Sequence, residues 1–197
     1  MVSDMTDAEL RYRGGKRERL VSAAGDLLHQ QGVQGTTLAE IAQAAQVPPG
    51  NVYYYFKTRD DLVAAVIESR AAEIAGLLRS LDERPGPRAR LKALAGAWND
   101  ERISVAAHGC PLGSLATELS KYDHGLDQQA ARLLGMLIDW ARGQFHELGR
   151  PDSRELAVTL ISGIQGAALL ANALHDPGLL AGQVRWLEEW IDCLGER

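Results

Sequence analysis

A chain of 197 residues is long enough for one large domain, or for a small domain joined to a mid-sized one, and either can bury a substantial core. Its 46% apolar and 24% charged residues are ordinary globular proportions, which excludes disorder as the state of the whole chain. The net charge of −5 speaks at first sight against nucleic-acid binding, yet residues 11–60 carry Arg11, Arg13, Lys16, Arg17, Arg19, Lys57 and Arg59 against only Glu18, Asp26, Glu40 and Asp60. That asymmetry fits a DNA-facing module on an acidic body.

No apolar run approaches the roughly 20 residues that span a bilayer, so no membrane partner is expected. The stretch Met1–Arg13 is polar and carries Asp4, Asp7 and Glu9 where a signal peptide is basic and then apolar, and a cytoplasmic location is the expectation. Cys110 and Cys193 have neither CxxC nor zinc-site spacing, which predicts free thiols and no structural metal.

Apolar residues recur at spacings of three and four almost throughout, with no sustained period of two, and this predicts an all-α fold. Lys16–Gln31 sets Leu20, Ala23, Ala24, Leu27 and Leu28 on one face and stops at Gly32. Thr37 stands three residues before Glu40, the capping-box spacing, and opens a short helix to about Ala45. Val47-Pro48-Pro49-Gly50 breaks that helix, and Asn51–Phe56 makes a compact third one. Thr58 and Asp61 repeat the capping logic at the start of a long fourth helix, with Leu62, Val63, Val66, Ile67, Ile74, Leu77, Leu78 and Leu81, which ends before Pro85-Gly86-Pro87. Further helices are predicted over roughly 88–105, 112–120, 126–148, 153–174 and 178–194, parted by Gly109 and Pro111, Gly149-Arg150-Pro151 and Asp176-Pro177-Gly178.

Three short helices with a tight turn between the second and third have the geometry of a helix-turn-helix, whose third helix enters the major groove. Tyr53 and Tyr55 offer rigid phenols to phosphate oxygens, and Lys57 adds a point charge just beyond. Pro49 and Gly50 open the helix, Gly50 letting backbone approach DNA, and Asn51 presents a donor and an acceptor to base edges. Thr37 sits at a helix N-terminus suited to a phosphate, and is a helix cap in any case. Four consecutive aromatic residues cannot all face outward, so Tyr54 and Phe56 are assigned to packing with Val52 and Ile41.

The run from Thr36-Thr37 through Ile41-Ala42-Gln43-Ala44-Ala45 to Tyr53-Tyr54-Tyr55-Phe56-Lys57 resembles the signature of the TetR family of regulators. It departs at Gln46, where the family usually has Gly, at Pro48-Pro49, where small or polar residues are common, and at Tyr55, where His is common. The resemblance implies an N-terminal tail and helix-turn-helix DNA-binding domain over residues 1–60, and a larger helical effector-binding and dimerisation domain over 61–197. It further implies a homodimer on palindromic double-stranded operator DNA, released by a small-molecule effector, most simply a repressor; an activator is the alternative, decided by where the operator sits relative to a promoter.

Within the second part, His108-Gly109-Cys110-Pro111-Leu112-Gly113-Ser114-Leu115-Ala116-Thr117-Glu118-Leu119 resembles a segment of the LmrA/YxaF-like subgroup of drug- and flavonoid-responsive regulators, which implies a small, largely apolar effector. Trp98, Met136, Trp140 and Gln165 on long helices, with His108 and Cys110 at the bend, are the candidate effector contacts, each also a candidate for ordinary packing. His108 and Cys110 lack a third orienting residue, and no carboxylate pair, metal cluster or nucleotide loop supports an enzyme or a cofactor. Gly163, Gly166, Ala167, Ala168 and Ala171, with the stripe Leu179, Leu180, Val184, Leu187, Trp190, Ile191 and Leu194, suggest a four-helix dimer interface; both faces could instead pack within one chain.

Overall fold

The computed structural model describes residues 15–121 and 125–195, and among these every regular element is an α-helix. Arg11 and Arg13 of the basic segment lie outside the described residues. The helices are α1 (Lys16–Gly35), α2 (Leu38–Ala44), α3 (Pro49–Tyr55), α4 (Arg59–Asp82), α5 (Gly86–Asp100), α6 (Arg102–His108), α7 (Pro111–Leu119), α8 (Leu126–Glu147), α9 (Ser153–Leu174) and α10 (Pro177–Cys193).

Local chemistry sets the boundaries. The first helix runs to Gly32, whose φ of 79° breaks it as expected, and one further turn resumes beyond the kink. In α2 the Thr37 hydroxyl accepts from the Glu40 amide, and the Glu40 carboxylate accepts from the Thr37 amide at 2.8 Å. The same box opens α4, where Asp61 accepts from the Thr58 amide at 2.9 Å. Pro49 occupies the first turn of α3, where its missing N–H costs nothing.

α2 closes with paired backbone bonds from Gln46 to Gln43 and from Val47 to Ala42, around Gln46 at φ 53°. An L side chain costs about 1–2 kcal/mol in this left-handed region, and glycine returns about 0.5–1 kcal/mol of that through its freer unfolded state. Gln46→Gly is therefore expected to raise stability by roughly 0.5–1 kcal/mol at unchanged helix content, read from the denaturant midpoint.

One predicted helix is two. The stretch expected as a single helix over 88–105 divides at Glu101 (φ −89°, ψ 5°), and the Arg102 guanidinium covers the carbonyl of Asn99 at 2.9 Å. The break redirects the chain: α5 packs on α10, α8 and α4, whereas α6 packs on α9 and α10 and reaches α1. α4 joins the two halves, with Val66 and Arg70 against Gly25 of α1, and Glu68 and Asp82 paired with Arg132 and Trp140 of α8.

By length and composition α9 is apolar enough to cross a membrane, with a mean hydropathy of 1.6 over 18 residues, but part of that apolar surface is packed inside the chain. It carries two apolar faces. Ala157, Leu160, Ile161, Ile164, Ala167, Ala168 and Ala171 are buried within the chain, on a helix that packs against α8, α10 and α6, while Val158, Leu169, Leu170 and Leu174 are exposed. Ala167, Ala168 and Ala171 therefore serve the monomer's own packing and not an outer face. On α10, Leu180, Val184, Leu187 and Ile191 are likewise internal, and a Cβ on Gly163 would lie 3.1 Å from Gln183 and 3.4 Å from Leu187.

Candidate nucleic-acid interface and effector domain

α3 displays most of its surface. Val52 and Phe56, four residues apart, are buried and anchor the helix and its C-cap. At 100° per residue Tyr54 then lies opposite them, and it is 76% exposed, with Tyr53 at 59%. Tyr55 falls beside Val52, is half-buried against the core, and meets Tyr54 edge-on at 5.0 Å. The assignment of Tyr54 to packing is thus reversed, and Tyr55 gives part of its surface to the core. The spacing of Val52 and Phe56 carried that signal.

The remaining DNA candidates are at least partly accessible. Thr37, Pro49, Gly50 and Lys57 are exposed and Asn51 is half-buried. Lys57 Nζ donates to the Tyr53 carbonyl at 3.0 Å, which holds the ammonium at the end of α3. A Cβ on Gly50 would meet nothing within 4 Å, so internal packing does not demand glycine there. The Thr37 hydroxyl and amide hold the Glu40 carboxyl below its ordinary range.

Behind the helix-turn-helix, the segment His108–Leu119 touches both halves of the molecule. Gly109 (φ 82°) turns the chain into α7, and its carbonyl accepts from His29 Nε2 of α1 at 2.7 Å. The His29 and His108 rings meet edge-on at 5.7 Å. Burial holds the His29 imidazole below its ordinary range, against the opposing bond to Gly109 and aided by Arg70 and His108. The Glu118 carboxylate accepts from the Val33 and Gln34 amides of α1, each at 2.8 Å. On the opposite side Gln165 Nε2 donates to Cys110 Sγ at 3.4 Å, and Asn172 Nδ2 donates to the Ala106 carbonyl at 3.2 Å. Nothing local in the sequence marks His29, and Glu118 is marked only as a member of the LmrA/YxaF-like segment, not as a partner of α1.

The six effector candidates are dispersed. Cys110 and Gln165 are neighbours; Trp98 is buried on α5 and Met136 partly buried on α8. His108 faces His29, and Trp140 Nε1 donates to Asp82 at the end of α4 at 2.9 Å. Two open grooves, of about 650 Å³ between α1 and α4 and about 1090 Å³ among α4, α5 and α10, are lined by none of the six. Cys110 and Cys193 are free thiols.

Two family models match this architecture. Residues 20–66, which contain α2 and α3, match the model for bacterial regulatory proteins of the tetR family, and residues 87–182 match the C-terminal domain of LmrA/YxaF-like transcriptional regulators. The chain belongs to the TetR family. An HTH-type transcriptional regulator in the lacX 3′ region of Lactococcus lactis is 26% identical over 92% of this chain and 95% of its own. The regulator BetI of Paraburkholderia phymatum is 27% identical over 91% and 92%. A TetR transcriptional regulator from Legionella pneumophila shares the fold, with a TM-score of 0.82 at 22% identity over 90% of this chain and 97% of that one. This TetR-family protein is a DNA-binding transcriptional regulator and not an enzyme.

Proposed function

We propose that this TetR-family regulator is a repressor, bound as a homodimer to a palindromic operator and released when a small, largely apolar molecule enters the effector domain. Thr37, Pro49, Gly50, Asn51, Tyr53, Tyr54 and Lys57 are its DNA contacts, with Tyr54 taking the outward role first given to Tyr55. Cys110 and Gln165, which touch each other, are the effector contacts. The observation that carries the reading is the bend at Gly109–Cys110, which lies in the LmrA/YxaF-like region and touches Gln165 on one side and His29 of the DNA-binding domain on the other.

A ligand that displaces Gln165 from Cys110 shifts a segment bonded to α1, and so favours one placement of the DNA-binding domain over another. Linkage sets the test. An effector that weakens operator binding must itself be weakened by operator to the same factor, commonly about 5–150-fold. Titrating planar aromatic compounds while following tryptophan fluorescence, with and without operator duplex, is expected to show that difference for an inducer. Equal affinities across all bound compounds would defeat the proposal.

A further inference from the structure

We propose that Glu118 is a positioning residue for operator binding, a carboxylate of the effector domain that fixes where the helix-turn-helix sits. Gly32 ends the first run of α1 and leaves the amides of Val33 and Gln34 at the start of a new turn without helical partners. Glu118, about a full domain away in sequence, accepts from both at 2.8 Å, a bidentate and charge-assisted arrangement. Gly32 fits its place on two counts: its φ of 79° is one that L side chains rarely adopt, and a Cβ there would lie 2.9 Å from a Glu118 oxygen and push the carboxylate off its two amides.

The clamp lies close to the DNA-reading helices. Three residues separate Gln34 from Leu38, the first residue of α2, and the buried Thr36 between them bonds back to the Gly32 carbonyl at 2.7 Å. α2 packs mainly on α1 and α3, and α3 mainly on α2. The position of α3 is therefore inherited from α1 through α2, and Glu118 grips the end of α1 from which α2 departs. Removing the carboxylate leaves the Val33 amide, beside a buried side chain, without its partner, and loosens the tie between that end of α1 and α7. In a dimer the loss acts twice, on the separation and angle of the two recognition helices. This last step rests on the homodimer reading above.

Half-site spacing is the readout that simple destabilisation does not move. An operator selected from random duplexes with the full-length protein is remade with one or two base pairs added or removed between its halves. Each step rotates and translates one half-site by roughly a tenth of a helical turn. The wild type is expected to lose affinity steeply at each step. Glu118→Ala is expected to bind the best spacing more weakly yet hold the altered ones, so that discrimination falls about tenfold, with Glu118→Gln between the two. Binding to unrelated duplex should not change, because phosphate contacts survive in each module. Gly32→Ala should reproduce the relaxed spacing, and the double substitution should add little, as expected of one shared contact. If Glu118→Ala does not fold, the isosteric Glu118→Gln carries the comparison. Unchanged spacing discrimination in a folded Glu118 variant would overturn the proposal. A wild type indifferent to spacing would overturn it together with the homodimer reading.

Discussion

Leu170→Glu is expected to yield a folded monomer that has lost at least about 100-fold in operator affinity. The residue lies on the outer face of α9 with Val158, Leu169 and Leu174, and the nearby face of α10 exposes Leu179 and Trp186, the latter stacked on Trp190 at 6.3 Å. A Cβ on Gly166 would meet nothing within 4 Å, which leaves room for a second backbone to approach. Single exposed apolar residues need no explanation, but two adjoining helices presenting such a face within one chain do. TetR-family regulators typically dimerise, and a twofold through this face would pair the patch with its own copy. Glutamate there places two carboxylates into a surface that must dry on association, a cost of several kcal/mol. Operator affinity then falls because one recognition helix is left to hold a half-site without its tethered partner. Light scattering and circular dichroism on the same sample check the first statement, and a persistent dimer with Leu170→Glu would remove this face from the interface. Ala168→Glu makes the contrast: Ala168 is fully buried inside the monomer, so unfolding is expected instead.

The difference between Leu170 and Ala168 shows what the sequence could carry. Small residues three and four apart on α9 were legible as a close-packing stripe, but a helix with two apolar faces does not declare which one its own chain covers. The capping boxes at Thr37 and Thr58, the stops at Gly32 and before Pro85, and the all-helical fold were legible because each depends on residues within one or two turns. The bonds from His29 to Gly109 and from the Val33 amide to Glu118 span 80 and 85 residues, and nothing local announces them. The size of Trp140 and its place on a long helix mark it as a pocket candidate, but its indole is committed to Asp82 by a contact that spans 58 residues. The break at Glu101 is illegible for another reason: it has neither Gly nor Pro, and the turn is stabilised by Arg102 reaching back to Asn99.

The adjacent tyrosines of α3 give the last expected result, and they are expected to respond in opposite ways. Tyr54→Ala should leave thermal stability almost unchanged, since the ring is largely in solvent, and should lower operator affinity about 100-fold. A hydrogen bond to phosphate contributes roughly 1.5 kcal/mol, about a factor of ten, and each substitution occurs twice in a dimer. Tyr55→Ala should instead lower stability by about 1–3 kcal/mol, because its ring is partly packed on the core beside Val52, and its effect on DNA should follow from that loss. Lys57→Ala separates charge from shape. Two ammonium groups fewer on the duplex should make the slope of log affinity against log salt shallower by about 1.8, whatever the operator sequence. Asn51→Ala should keep the salt slope and relax preference at one or two base positions, at about 1–3 kcal/mol per lost base contact. Fluorescence anisotropy across several salt concentrations, beside melting curves for every variant, reads all four. A stable Tyr54→Ala protein with wild-type affinity, together with weakened binding by an equally stable Tyr55→Ala, would turn α3 about its axis relative to the DNA and return the outward role to Tyr55.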